Sequence, residues 1–80
     1  MMSAFVLIQL AGLASREDIQ AVHSNLHAVK GVKTVHLLAG PTDVIVFLDV
    51  ADQAAMMEAI GGLRSVKGVA STDTRIVISM

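Results

Sequence analysis

Three histidines are the first residues in this chain of 80 that have the means for chemistry. His23 and His27 lie four apart, the spacing at which two imidazoles on one helical face can grip a metal ion, and His36 follows. No Glu stands after His23 as it would in a metalloprotease helix. Cys is absent, which removes thiolate metal sites, cysteine nucleophiles and disulfides together. The favoured reading is therefore ordinary surface or boundary histidines, with no metal and no cofactor. No Ser-His-Asp arrangement or paired-carboxylate site is argued by spacing, so no catalytic residue is assigned.

Two polar segments offer binding chemistry instead. In Gly40-Pro41-Thr42-Asp43 the Gly and Pro shape a tight turn, whose backbone amides and Asp43 carboxylate could meet the two charged ends of a small zwitterion. The plainer reading is a hairpin turn, and the chain alone favours it. Ser71-Thr72-Asp73-Thr74 poses the same choice: hydroxyls along a strand can hydrogen-bond a ligand or line a wet sheet edge. Met56-Met57 reads as core filling rather than a soft-metal surface, and Arg16-Glu17-Asp18 as a solvated first helical turn.

Composition narrows the function classes. The formal net charge is −1, with 54% hydrophobic and 16% charged residues, and the mean hydropathy is +0.67. Such a chain folds, as one domain over residues 1–80. Its basic residues are scattered at Arg16, Lys30, Lys33, Arg64, Lys67 and Arg75, without the clustered field that phosphate backbones require, so direct nucleic-acid binding is not expected. The run Ala4 to Ile8 is too short to span a membrane and lacks the flanks of a signal peptide. A cytoplasmic protein without membrane contact is the default.

The elements that must position these residues follow from pattern. Ser3 to Leu10 is short and rich in β-branched and aromatic residues, a first strand. Ser15 is placed as an N-cap, with Glu17 and Asp18 opposing the positive end of the helix dipole. Ile19, Val22, Leu26 and Val29 then recur at helical spacing until Lys30-Gly31. Val32 to Leu38 and Val44 to Val50 flank the Gly40–Asp43 turn as a hairpin. Asp52 caps a second helix with Met56, Ala59, Ile60 and Leu63 on one face, ending near Ser65; its Gly61-Gly62 pair marks a boundary, a kink or a close backbone approach. Ser71 to Ser79 closes the order β-α-β-β-α-β, a ferredoxin-like α+β pattern: a four-stranded antiparallel sheet with two helices on one face.

Val29-Lys30-Gly31-Val32 recurs as Val66-Lys67-Gly68-Val69, each time between a helix and a strand, with the Gly free to take a left-handed conformation. The sheet face away from the helices should be polar in a monomer. Yet Phe5-Val6-Leu7-Ile8 and Val44-Ile45-Val46-Phe47-Leu48 are apolar in both registers, as in strands covered on both sides. A chain this short buries only roughly 60–65% of its unfolded surface. The expectation is a second copy, packed sheet on sheet into a dimeric sandwich or α+β barrel.

The first strand, the two Val-Lys-Gly-Val junctions, Gly40-Pro41-Thr42-Asp43 before an apolar strand, and Thr72-Asp73-Thr74-Arg75-Ile76-Val77-Ile78 together resemble the effector-binding domain of the Lrp/AsnC transcriptional regulators. The resemblance covers nearly the whole chain. Members usually carry an N-terminal helix-turn-helix, so this chain resembles the stand-alone regulator of amino acid metabolism domain. The resemblance implies dimerisation through the sheets, further assembly into octamers or decamers, and an amino acid or related small molecule bound between subunits. The family's G-x-x-D loop maps onto Gly40 and Asp43, with Pro41 and Thr42 carried along, and its Thr-x-Thr strand onto Thr72 and Thr74. The family often has aromatic residues around that Asp, whereas Thr42 and Val44 flank it here, which bears on the ligand that fits.

The resulting expectation is a non-enzymatic sensor: an amino acid at the subunit interface shifts assembly, or regulates transcription through a helix-turn-helix partner of the same family. The alternative is a small dimeric α+β barrel enzyme such as a cofactor-independent monooxygenase, with His23, His27, His36 and Asp43 as acid-base candidates. Against it stands the aliphatic character of the strands that would floor an active site.

Overall fold

Local hydrogen bonding starts both helices where the polar residues stand. A computed structural model describes residues 1–12 and 15–78. In it Ser15 is extended (φ −136°, ψ 162°) and its hydroxyl accepts from the Asp18 N–H at 3.1 Å, opening α1 (Arg16–His27). Asp52, also extended, accepts from the Ala55 N–H at 2.9 Å and opens α2 (Gln53–Arg64). Each side chain satisfies one of the amide donors that a helix start leaves without a partner.

The strands are β1 (Met2–Leu10), β2 (Val32–Leu37), β3 (Val44–Val50) and β4 (Val69–Ile76), giving the order β-α-β-β-α-β. They form one sheet in the order β2-β3-β1-β4, and all neighbouring pairs are antiparallel. α1 lies over β2, and α2 lies over β3 and β4. The expected ferredoxin-like α+β arrangement is thus the observed one. The two Val-Lys-Gly-Val junctions are also alike in conformation: Gly31 has φ +100° and Gly68 φ +99°, the left-handed region open to glycine at helix ends.

The core lies between the helices and one face of the sheet. Ala4, Val6 and Ile8 of β1, Val44, Val46 and Leu48 of β3, and Leu26 and Leu63 of the helices are fully buried. Met56 is buried with them, but Met57 is 63% exposed, so core filling holds for the first methionine alone. Of the apolar positions on α1, Val22 and Leu26 are buried and Ile19 stays at the margin. In α2 the glycine pair divides: a Cβ on Gly61 would meet nothing within 4 Å, whereas one on Gly62 would lie 2.9 Å from Val29 Cγ1. Gly62 marks a close approach between α2 and the end of α1, without breaking the helix.

β4 begins and ends earlier than Ser71 to Ser79. Its ladder with β1 runs from Val69 opposite Leu10 to Ile76 opposite Ala4. The Ala11 N–H, bonded to the Gly68 carbonyl at 2.9 Å, draws the start back. At the far end one further bond, from the Val77 N–H to the Ser3 carbonyl at 2.8 Å, follows the last paired residues. Ser79 lies outside the described residues.

Candidate functional site

The Gly40–Asp43 segment is the connection of the β2–β3 hairpin, and backbone bonds tie it to the end of β1. The Asp43 N–H donates to the Ile8 carbonyl at 3.1 Å, and the Leu38 N–H donates to the Asp43 carbonyl at 2.8 Å. The half-buried Asp43 side chain accepts from the Leu10 N–H through Oδ2 at 2.9 Å. That amide sits where the β1–β4 register shifts, between Gln9 and Leu10. The carboxylate therefore occupies a donor that the irregular ladder leaves available. The Gln9 side-chain amide donates to the Pro41 carbonyl. Gly40 has φ +142° and nothing within 4 Å of a Cβ placed on it: the loop is held at its base and open at its tip.

Thr72 and Thr74 stand on the other side of β1. Thr72 is opposite Ile8 and Thr74 opposite Val6. Because residues paired across an antiparallel ladder share a face, both threonines are on the helix side of the sheet, half-buried. Thr72 lines a small groove of about 340 Å³ with Arg64 and Ser71. Within one chain, then, strand β1 separates the Gly40–Asp43 loop from the two threonines. The loop and Thr72 flank Ile8, from opposite sides.

The face away from the helices carries what lies between. Asp73 is opposite Leu7 and Arg75 opposite Phe5. These two form a bidentate pair, Arg75 Nε to Asp73 Oδ1 at 3.0 Å and Nη2 to Oδ2 at 2.8 Å. The hydrogen bond from Arg75 holds the Asp73 carboxyl below the usual aspartate value, and the same bond raises the Arg75 guanidinium. The middle of this face is apolar: Phe5 and Leu7 from β1, Ile45 and Phe47 from β3, with the Phe5 and Phe47 rings 5.0 Å apart. Phe5 is 42% exposed. His36, opposite Ile45, borders the patch on the β2 side. Ser3 donates to Asp49 at 3.1 Å at the end remote from the hairpin loop.

Sequence reading missed Gln9, Arg64 and the Asp73–Arg75 pair. The alternation along β4 was visible, but only the register with β1 decides which alternate set faces outward. The histidines do not converge. His23 and His27 are on α1 with ring centroids 6.0 Å apart, while His36 lies on the opposite side of the sheet. Among the described residues no group of three or more His, Cys, Asp or Glu side chains could hold a metal ion. Nor is any described helix long and apolar enough to cross a membrane.

Comparison with curated proteins finds no match. Solved structures give the same fold. TTHA0845 from Thermus thermophilus superposes with a TM-score of 0.82 at 25% identity, over 100% of this chain and 96% of that one. FFRP-DM1 does so with a TM-score of 0.79 at 26% identity, over 98% and 100%. The transcriptional regulator NMB0573 from Neisseria meningitidis, solved as a complex with L-Met, has a TM-score of 0.81 at 18% identity; this chain covers 50% of its length. The model of the Lrp/AsnC ligand binding domain matches residues 3–80, and with all of β1 but Met2, the hairpin loop and β4 inside that match, the chain belongs to the Lrp/AsnC ligand binding domain family.

Proposed function

We propose that this protein is a sensor that binds an amino acid or related small molecule at subunit interfaces and couples that binding to its own assembly. The observation that carries the reading is the uncovered patch of Phe5, Leu7, Ile45 and Phe47 beside a loop whose base is bonded to β1 and whose tip is open. A second copy, packed face to face, removes that patch from water. Further association of dimers, into octamers or decamers, is what could bring the Gly40–Asp43 loop of one chain to the Thr72 and Thr74 side of another, since β1 separates them within a chain. The L-Met complex of the Neisseria regulator supports an amino acid as the ligand class.

In this reading Gly40, Pro41, Thr42 and Asp43 contribute backbone amides and one carboxylate, and Thr72 and Thr74 contribute hydroxyls. The effector works through differential affinity for assembly states, where a tenfold preference corresponds to about 1.4 kcal/mol per site. Any effect on transcription passes through a helix-turn-helix partner of the family, in the cytoplasm. The enzyme reading is weaker, because, of the acid-base candidates His23, His27, His36 and Asp43, the histidines are divided between the two sides of the sheet and the Asp43 carboxylate accepts from the Leu10 N–H.

The test is calorimetric titration of the wild-type protein with each common L-amino acid, repeated on Asp43→Ala. Saturable binding of a subset, weakened at least about tenfold by the substitution, is the expected result. Binding that survives Asp43→Ala unchanged would remove the hairpin loop from the site, and no binding by any amino acid would overturn the sensor reading.

A further inference from the structure

A second groove in the described structure is remote from the hairpin loop. It has a volume of about 560 Å³ and lies where β3 ends and β2 begins, between the α1–β2 junction and α2. The loop sits at the start of β3, and the length of that strand puts the two regions about 20 Å apart.

The walls carry opposite charge. Lys30 and Lys33 belong to the junction side and Glu58 to α2 across the groove; Asp49 of β3 is also in the lining, but its carboxylate accepts from Ser3, its partner across the β1–β3 ladder. Between them the lining is small and apolar, chiefly Val50, Ala55 and Ala59. The opening exists because α2 presents alanines here, while at Gly62 the helix closes onto Val29. Among the described residues neither lysine nor Glu58 is in an ion pair. The volume is in the range of small-molecule sites, roughly 300–1,000 Å³.

We propose that this groove is a second small-molecule site, selective for a short aliphatic zwitterion. Lys30 and Lys33 take the anionic group, Glu58 takes the cationic group, and the aliphatic body lies on Val50, Ala55 and Ala59. A simple anion meets Glu58 and a simple cation meets two lysines, so each single-charge ligand has one favourable wall and one repulsive one. The absence of large side chains along the floor leaves room for a branched aliphatic group and no aromatic surface to stack a ring. The site does not depend on the hairpin loop being an effector site, since it shares no residue with it.

The experiment is nuclear magnetic resonance of the isotope-labelled full chain, titrated with L-valine and 4-aminobutyrate as zwitterionic probes and with propionate and propylammonium as single-charge controls. Saturable shifts of the Gly31 amide and the Ala55 and Ala59 methyl groups with a zwitterion, and at least about tenfold weaker binding of both controls, are expected. Glu58→Gln and Lys33→Gln, both at exposed positions, should each weaken the groove shifts by a similar factor, and Asp43→Ala should leave them unchanged. Controls that bind as well as the zwitterions, groove resonances that never move, or shifts abolished by Asp43→Ala and kept in Glu58→Gln would each overturn the proposal. So would contacts from a second copy at Ala55 and Ala59 before any probe is added. The pattern in which Asp43→Ala abolishes the shifts and Glu58→Gln keeps them would leave the sensor reading at the hairpin loop standing.

Discussion

Asp43 has one duty in the fold and, in the proposed site, a second toward the effector, and a single substitution to alanine would confuse the two. Its carboxylate accepts the Leu10 N–H, so Asp43→Ala should cost about 1–3 kcal/mol in urea unfolding, the range for stranding a partly buried donor. Asp43→Asn keeps an acceptor oxygen and should recover most of that loss. If the negative charge itself meets an effector, amino acid binding stays weak in the asparagine variant although stability returns; recovery of both would make Asp43 a positioning residue only. An acidic residue in a turn was legible in the sequence, but the amide it caps was not, because Leu10 is distant in the chain and is exposed to bonding only by a shift in register. The Asp73–Arg75 pair makes a pH prediction. Its folded carboxyl titrates below the ordinary aspartate range because Arg75 donates to it. Whatever stability it contributes is therefore present above the unfolded-state value and is lost as pH falls through the lowered folded value. A carboxyl titration followed by nuclear magnetic resonance should show the Asp73 midpoint rising toward the ordinary value in Arg75→Gln; an unmoved midpoint would contradict the pairing.

At the scale of elements, the neighbouring glycines of α2 should respond in opposite directions. Gly61→Ala places a methyl in open space inside a helix and should stabilise by about 0.5–1 kcal/mol through backbone entropy. Gly62→Ala drives a Cβ to within 2.9 Å of Val29 Cγ1 and should lower the thermal midpoint, as should Gly31→Ala, whose Cβ would lie 2.6 Å from Val50 Cγ1 at φ +100°. Equal responses of Gly61 and Gly62 in thermal unfolding would refute the close approach. Helix starts at Ser15 and Asp52, the β2–β3 hairpin and the two glycine junctions were readable because each depends on residues within about one turn of each other. The limits of β4 and the direction of Thr72 and Thr74 were not, because both are set by pairing with β1, far away in sequence. That pairing also places the threonines across β1 from the hairpin loop within one chain.

For the whole molecule the decisive feature is the apolar sheet face. In the middle of β1 and β3 both alternate sets of side chains are apolar, and the helices cover only one of them. Phe47→Lys should therefore reduce the assembled mass, because a charge in the middle of a packed sheet-on-sheet contact loses its hydration without a partner. An unchanged mass would place the interface elsewhere. Native mass spectrometry of the wild-type protein, with and without each common amino acid, shows whether ligand binding and assembly are one property of this chain. Even multiples of the 8.4 kDa chain are expected, with at least one amino acid retained in the assembly or changing its subunit count. A monomer at micromolar concentration, indifferent to every amino acid, would contradict that expectation.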